Sequence, residues 1–462
     1  MLEKNENQFE QFREQLYHEH FNKRADALLD LIDAISSNSR ARSVVELSLN
    51  SCFHREYTSL FKAIAEYEPK EAKQNLAQLA APYLPQPKER SFWLLGVDVT
   101  PQSRPYAYTL AERECVYQPT PVRSNKPITF GHPYSSVFTL PERAGKQSPH
   151  WVIPLNTKRV NRNNKEETGA NQVRDLLEDK FLPFHDQLCV EVTDCGYSKP
   201  AYLSANRDKA NLITITRARS NRNFYRQPKA VYSYERGHPI WYGDKFSLRD
   251  PDTWHTPDEI AATILTSRRG KKYRIEIQAW YNMLMRGKCK KAQIPMQDYP
   301  FTLVRVSQYN GEGELVFANP MWLIVMGEQR RKLNLRDVYE SYRQRYDVEH
   351  FFRFGKQKML LSHYQTSETN HEEKWWKLVH LAYLQLWVAK EYAVNSPRPW
   401  ERYLPSIREE NPSPAMVQRS FGGIIREFET ISKIPKRRGK SPGRQKGMKQ
   451  ALRERNPIIR SG

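Results

Sequence analysis

Residues 336–356 set the strongest constraint on how this chain can fold. The stretch has no proline and a single glycine, Gly355, close to its end. It therefore predicts one helix of about five turns. Leu335, Val338, Tyr342, Arg345, Glu349, Phe352 and Lys356 recur at heptad spacing, and a stripe of that kind faces the protein interior. At 100° per residue, Tyr342, Arg345, Glu349 and Lys356 share an arc of roughly 60°. Three charges on an inward face are costly unless each has a partner there. The stripe thus marks either a structural Arg-Glu pair or a functional site.

Two further acids follow strand-like runs. Phe92, Trp93, Leu94, Leu95, Gly96 and Val97 form an apolar run of strand length, and Asp98 comes next. Leu188, Cys189, Val190, Glu191, Val192 and Thr193 form another, followed by Asp194, Cys195, Gly196 and Tyr197. A helix is expected over residues 169–181, with Val173, Leu176, Leu177 and Phe181 on one side, and a shorter one over 198–206. The next strand spans 211–216. Strand, acid, helix, strand is the alternation of a parallel α/β sheet. Residues 106–110 read as a hairpin partner of the first strand. His132 lies in a strand-flanking turn and is read as structural.

Arg217, Arg219 and Arg222, mixed with Phe224 and Tyr225, leave the strand at 211–216 in a way that suits a phosphate backbone. Helical periodicity then fades, and residues 227–335 read as a β-rich insertion. Residues 1–90 are helical, either a DNA-contacting module or a cap on the next domain. Beyond the charged helix, residues 375–387 form an apolar helix, residues 397–414 are proline-rich, and a helix is expected near 415–428. Residues 433–462 hold eleven Lys or Arg against one Glu, nearly half of the net charge of +21. Such an excess favours a polyanionic partner. No apolar run approaches bilayer length and the start lacks a signal-peptide core, so a cytoplasmic location is expected. Five cysteines without a Cys-x-x-Cys pair read as reduced thiols, excluding a disulfide framework and a zinc site.

The spacing Tyr342-x2-Arg345-x3-Glu349-x6-Lys356 resembles the signature helix of bacterial insertion-sequence transposases of the DDE type. The resemblance covers roughly residues 90–395 and includes Asp98 after Gly96 and Val97 and the Asp194-x-Gly196-Tyr197 turn. It implies an α/β fold: a ribonuclease-H-like mixed sheet with a β-rich insertion, a helical N-terminal region and a basic C-terminal tail. The divisions expected are 1–90 for the helical region, with DNA-end binding, 91–226 and 336–395 for the core, 227–335 for the insertion, and 396–462 for the last helix and tail.

Asp98, Asp194 and Glu349, separated by 96 and 155 residues, are the catalytic and metal-binding carboxylates that the resemblance implies. Two ions, Mg²⁺ or Mn²⁺, would serve phosphoryl transfer on double-stranded DNA. Tyr342, Arg345 and Lys356 are expected to contact the transposon end. Trp322, with Trp280 as the weaker choice, is the candidate to stack on a flipped base. A homodimer acting on paired ends is implied. The expected activity is cut-and-paste transposition. The alternatives are a ribonuclease-H-like nuclease that cuts without joining and a silent DNA-binding protein.

Overall fold

The computed structural model describes residues 2–70, 75–118, 127–143, 145, 148–161, 163–228, 240–267, 269–287, 294–393, 400, 411–428, 430–435, 445–449 and 452–459. The N-terminal region forms α1 (Leu2–Glu14), α2 (Ala25–Ser36), α3 (Tyr57–Glu66) and α4 (Leu76–Ala80). Five strands and two helices follow: β1 (Trp93–Ser103), β2 (Glu114–Tyr117), β3 (Ile128–Thr139), β4 (Ile153–Arg159), α5 (Lys165–Glu178), β5 (Cys189–Thr193) and α6 (Pro200–Leu203). Next come β6 (Leu212–Arg217), β7 (Asn223–Tyr225), β8 (Lys245–Ser247), β9 (Glu259–Thr266), β10 (Lys272–Met283), β11 (Phe301–Tyr309) and β12 (Met321–Met326). The chain ends in α7 (Leu335–Gln344), α8 (Tyr346–Lys358), α9 (Thr369–Val388) and α10 (Pro414–Glu427).

β1 pairs antiparallel with β3 and parallel with β5, β3 also pairs with β4, and β6 runs parallel to β5. The order β4, β3, β1, β5, β6 is that of a ribonuclease-H-like core. β12 then joins β6 antiparallel, and β11, β10 and β9 follow in turn, giving one ten-stranded sheet. The β-rich stretch at 227–335 thus extends the core sheet rather than standing apart from it.

Strand alternation explains why both faces of this extension are covered. Leu323 and Val325 join the main core with Leu335 and Val338 of α7. Trp322, Ile324 and Met326 point the other way, into a second cluster with Phe246, Trp280 and Phe301. The N-terminal helices share the main core with α9, as a cap would. Arg13 and Asp33, both almost fully buried, pair at 2.5 Å, and the Gln385 side-chain amide donates to Asp33 at 3.0 Å. A buried ion pair is tolerated when its remaining hydrogen bonds are satisfied in this way.

Three local expectations are corrected. Residues 106–110 form turns, held by the Arg113 guanidinium on the carbonyls of Arg104, Pro105 and Leu110. Phe181 is 81% exposed because α5 ends at Glu178, before the periodic stripe does. The helix expected over 198–206 shortens to α6. Residues 452–459 of the tail run beside the 108–114 loop, where the Asn456 amide donates to the Tyr108 carbonyl at 2.9 Å. Residues 436–444, 450–451 and 460–462 of the basic tail, much of the proline-rich stretch and Cys289 lie outside the described residues; the four described cysteines are free. Among the described residues, no helix is long and apolar enough to cross a membrane.

Candidate active site

β5 stops one residue short of Asp194, and this termination creates the site. Its pairing with β1 runs from Trp93↔Cys189 to Val97↔Thr193, while β1 continues against β3 as far as Ser103. Asp98 is therefore mid-strand rather than at a strand end, but it is the first β1 residue whose β5-facing edge is open. Its Oδ1 accepts the Val99 amide at 2.8 Å. Asp194 accepts the Gly196 amide at 2.8 Å, capping a short turn, and its carbonyl is fixed to β6 by the Thr216 hydroxyl at 2.8 Å.

Both carboxylates line one cavity of about 430 Å³, together with Lys165, Tyr197, Asn161 and residues of β2. Burial, and next the negative charge of Asp194, push the Asp98 carboxyl up to about 7; Glu349 adds to the rise and Arg345 opposes it. Two like charges in a half-dry cleft cannot both ionise freely.

The charged stripe is two helices rather than one. α7 starts where the Asn334 side chain accepts the Asp337 amide at 2.8 Å, and it buries Leu335, Val338 and Tyr342. At Arg345 the chain tightens: its amide bonds the Tyr342 carbonyl at 3.2 Å, and the Val348 amide bonds the Arg345 carbonyl at 3.1 Å. Such three-residue bonds wind the backbone more closely than an α-helix does.

α8 is then pinned from both sides. Buried Asp347 takes Arg143 and His150, each at 2.5 Å. Val348 lies against Gly96, where a methyl group would come within 2.8 Å of both Val348 and Leu140. The missing side chain at Gly96 lets α8 approach β1, and that approach delivers Glu349 to Asp98.

Arg345 connects the two acids. Its guanidinium lies 3.8 Å from Asp98 Oδ2 and donates to Glu349 Oε1 at 2.6 Å. Lys356 donates to the Thr100 hydroxyl at 2.7 Å and the Pro101 carbonyl at 3.1 Å, on the β1 residues just past Asp98. Burial lowers its ammonium to about 8, against the pull of Asp98. The Arg345 guanidinium stands 5.9 Å from the centre of the Tyr342 ring. Burial raises the Tyr342 hydroxyl, with Arg345 and Arg217 opposing.

Other candidates separate. Arg217 and Arg219 are exposed at the end of β6. Arg222 is half-buried and donates to the Ser198 carbonyl at 2.6 Å, so it braces the turn that follows Asp194. Trp322 is 2% exposed and packs its ring among Phe246, Trp254 and Trp280, with centroids 5.2–5.9 Å apart. A ring in that cluster cannot reach a base without opening the core, so the stacking expectation is corrected to a packing role. Trp280 is equally buried and donates to the His255 carbonyl at 2.7 Å. The sequence reading missed Asp347 with its partners Arg143 and His150, and also Lys165, which gave no local signal.

Among the described residues, no three His, Cys, Asp or Glu side chains stand close enough to hold one ion as they are arranged. The donor chemistry nonetheless fits a hard divalent cation. Asp98 and Asp194 supply carboxylate oxygens to one cavity, and their mutual repulsion is what a cation would relieve. Glu349 does not line that cavity; its carboxylate is paired with Arg345.

A ribonuclease-H-like sheet with acids at the β1 and β5 positions and on a helix crossing them defines a nuclease-type protein of the DDE class. A family model described as DDE superfamily endonuclease matches residues 16–287, more than half of the chain, and the chain belongs to that family. The matched stretch contains Asp98 and Asp194 and ends before α7 and α8. No curated protein matches the chain.

Proposed function

We propose that this DDE-family nuclease is a cut-and-paste DNA transposase, with Asp98, Asp194 and Glu349 as its catalytic carboxylates. The observation that carries the reading is that Asp98 of β1 shares one cavity with Asp194 at the end of β5 and is linked through Arg345 to Glu349 of α8. Bound Mg²⁺ or Mn²⁺, two ions on this reading, would activate the attacking oxygen and stabilise the leaving one.

The chain's own residues do the rest. In the first step water attacks a phosphodiester at the element end; the phosphorus–O3′ bond breaks and leaves a 3′-hydroxyl and a 5′-phosphate. In the second, that hydroxyl attacks a target phosphodiester, one phosphorus–oxygen bond replacing another. Arg345, on the helix break between Asp98 and Glu349, would clamp a phosphate through the parallel hydrogen bonds its guanidinium can offer. Lys356 supplies a point charge, and Tyr342 donates its hydroxyl to a neighbouring phosphate. Arg217 and Arg219 extend the basic surface along the backbone. The net charge of +21 supports double-stranded DNA as substrate. Action on paired ends makes the working form a homodimer, located with chromosomal DNA in the cytoplasm.

The test is incubation of the purified protein with Mg²⁺ or Mn²⁺, duplexes carrying the inverted repeats that flank the coding region, and a plasmid target. Joined products are expected. Nicks without joining would favour the simple nuclease, and binding without cleavage a silent DNA-binding protein.

A further inference from the structure

The residues of the signature helix approach the acids from α7 and α8. None of them lines the cavity that Asp98 and Asp194 share, and among the described residues that cavity has one cationic side chain, Lys165. Lys165 opens α5 and is followed by Glu166 and Glu167, of which Glu166 pairs with Lys199 at 2.6 Å. The Lys165 ammonium enters no such pair. It lies 5.7 Å from the centre of the Tyr197 ring, and no hydrogen-bond or ion-pair acceptor holds it among the described residues. Arg345, Lys356 and Arg222, by contrast, are each committed to protein oxygens.

Gly196 makes the position possible. A methyl group on it would sit 2.9 Å from Asp194 Oδ1 and 3.3 Å from the Lys165 ammonium nitrogen. Glycine there lets the ammonium and the carboxylate face each other across an open cleft without a side chain between them.

A partly exposed cation with no acceptor among the described residues, lining the cavity that Asp98 and Asp194 share, is suited to a ligand that brings its own negative charge. We propose that Lys165 is a substrate-contacting residue, its ammonium binding a non-bridging phosphate oxygen of the DNA strand laid across Asp98 and Asp194. The strand is then held from two sides, by Arg345 and Lys356 on one and Lys165 on the other. This inference rests on the reading that DNA is cut at these acids.

The test uses the full-length protein, an end-bearing duplex and Ca²⁺ in place of Mg²⁺, with affinity measured by fluorescence anisotropy over a range of salt concentrations. Each lost phosphate contact lowers the slope of log affinity against log salt by about 0.9. Lys165→Ala is expected to show that loss, Lys165→Arg to restore the wild-type slope, and Mn²⁺ affinity measured without DNA to stay unchanged. Cleavage in Mg²⁺ should fall about tenfold or more in Lys165→Ala, as expected for a lost charged hydrogen bond.

A Lys165→Ala slope equal to wild type overturns the inference. So does an unchanged slope with tighter Mn²⁺ binding, which would make Lys165 only a counter-charge to Asp194. A wild-type protein that neither binds nor cuts DNA overturns the nuclease reading itself, whereas an active wild type matched by Lys165→Ala removes the inference alone.

Discussion

Replacing Asp98 by Asn should stabilise the metal-free protein. In the folded chain the Asp98 carboxyl is raised from 3.8 to about 7, first by burial and then by the charge of Asp194. At about 1.4 kcal/mol per unit, holding it ionised costs as much as about 4 kcal/mol. The sign follows from linkage. Below the unfolded value near 3.8 the group is protonated in both states and the cost is absent. It grows as pH rises and is complete above about 7.

Asn cannot ionise, keeps an acceptor for the Val99 amide, and leaves Arg345 paired with Glu349. The shift already contains the attraction of Arg345 for a charged Asp98; set against the desolvation of the amide itself, it leaves a net gain of about 2–4 kcal/mol at pH 8. For 462 residues the unfolding entropy is on the order of 1 kcal/mol/K, which makes the gain about 2–4 °C in melting temperature. The assay is a set of thermal melts in chelator from pH 4.5 to 8, wild type beside Asp98→Asn. The advantage should grow across that range, and Mn²⁺ should narrow it by stabilising only the wild type. A variant no more stable than wild type at pH 8, or a difference that ignores pH, refutes the picture of two acids forced together in a half-buried cleft.

Glu349→Gln should leave DNA affinity within a few-fold of wild type and lower cleavage by about 10³-fold or more, as for other residues that act as a unit; gel-based binding and cleavage assays separate the two. Gly96→Ala should cost about 1–3 kcal/mol by overpacking against Leu140 and Val348. It should also depress cleavage more than DNA binding, because α8 carries Glu349. Trp322→Ala should lower the urea-unfolding free energy by about 3–5 kcal/mol. Wild-type stability with selective loss of cleavage would instead reinstate Trp322 at the DNA.

Much of the core could be read from the chain because its strands are buried on both faces. The apolar runs before Asp98 and Asp194, and the Trp-rich run of α9, carry that signal without tertiary help. β1 proved longer than its apolar run because β3 supports its far half. Pro101 lies opposite Pro133 in that register, and a strand containing proline does not read as one.

The break at Arg345 has no local mark, neither glycine nor proline. It is set by partners distant in sequence: the sheet holding Val338 and Tyr342, and Arg143 with His150 holding Asp347. His132 lies within β3 rather than in a flanking turn, and its Nδ1 meets the buried Glu372 at 2.8 Å beside Arg104. That cluster joins residues 240 apart and was invisible in sequence. Trp322 misled because aromatic character marks a base-stacking ring and a core ring equally. Strand parity, which turns Trp322 away from Leu323 and Val325, decides between them. Lys165 acquires meaning only when α5 sets it beside Asp194.

The central claim is that Asp98, Asp194 and Glu349 serve one divalent-metal centre. Anomalous diffraction from crystals of the full-length protein grown with Mn²⁺ and an end-bearing duplex tests it most directly. The account predicts anomalous peaks within coordination distance of the Asp98 and Asp194 carboxylates, with Glu349 turned from Arg345 to the metal. Density showing Glu349 still paired with Arg345, and no manganese between the two aspartates, would contradict it.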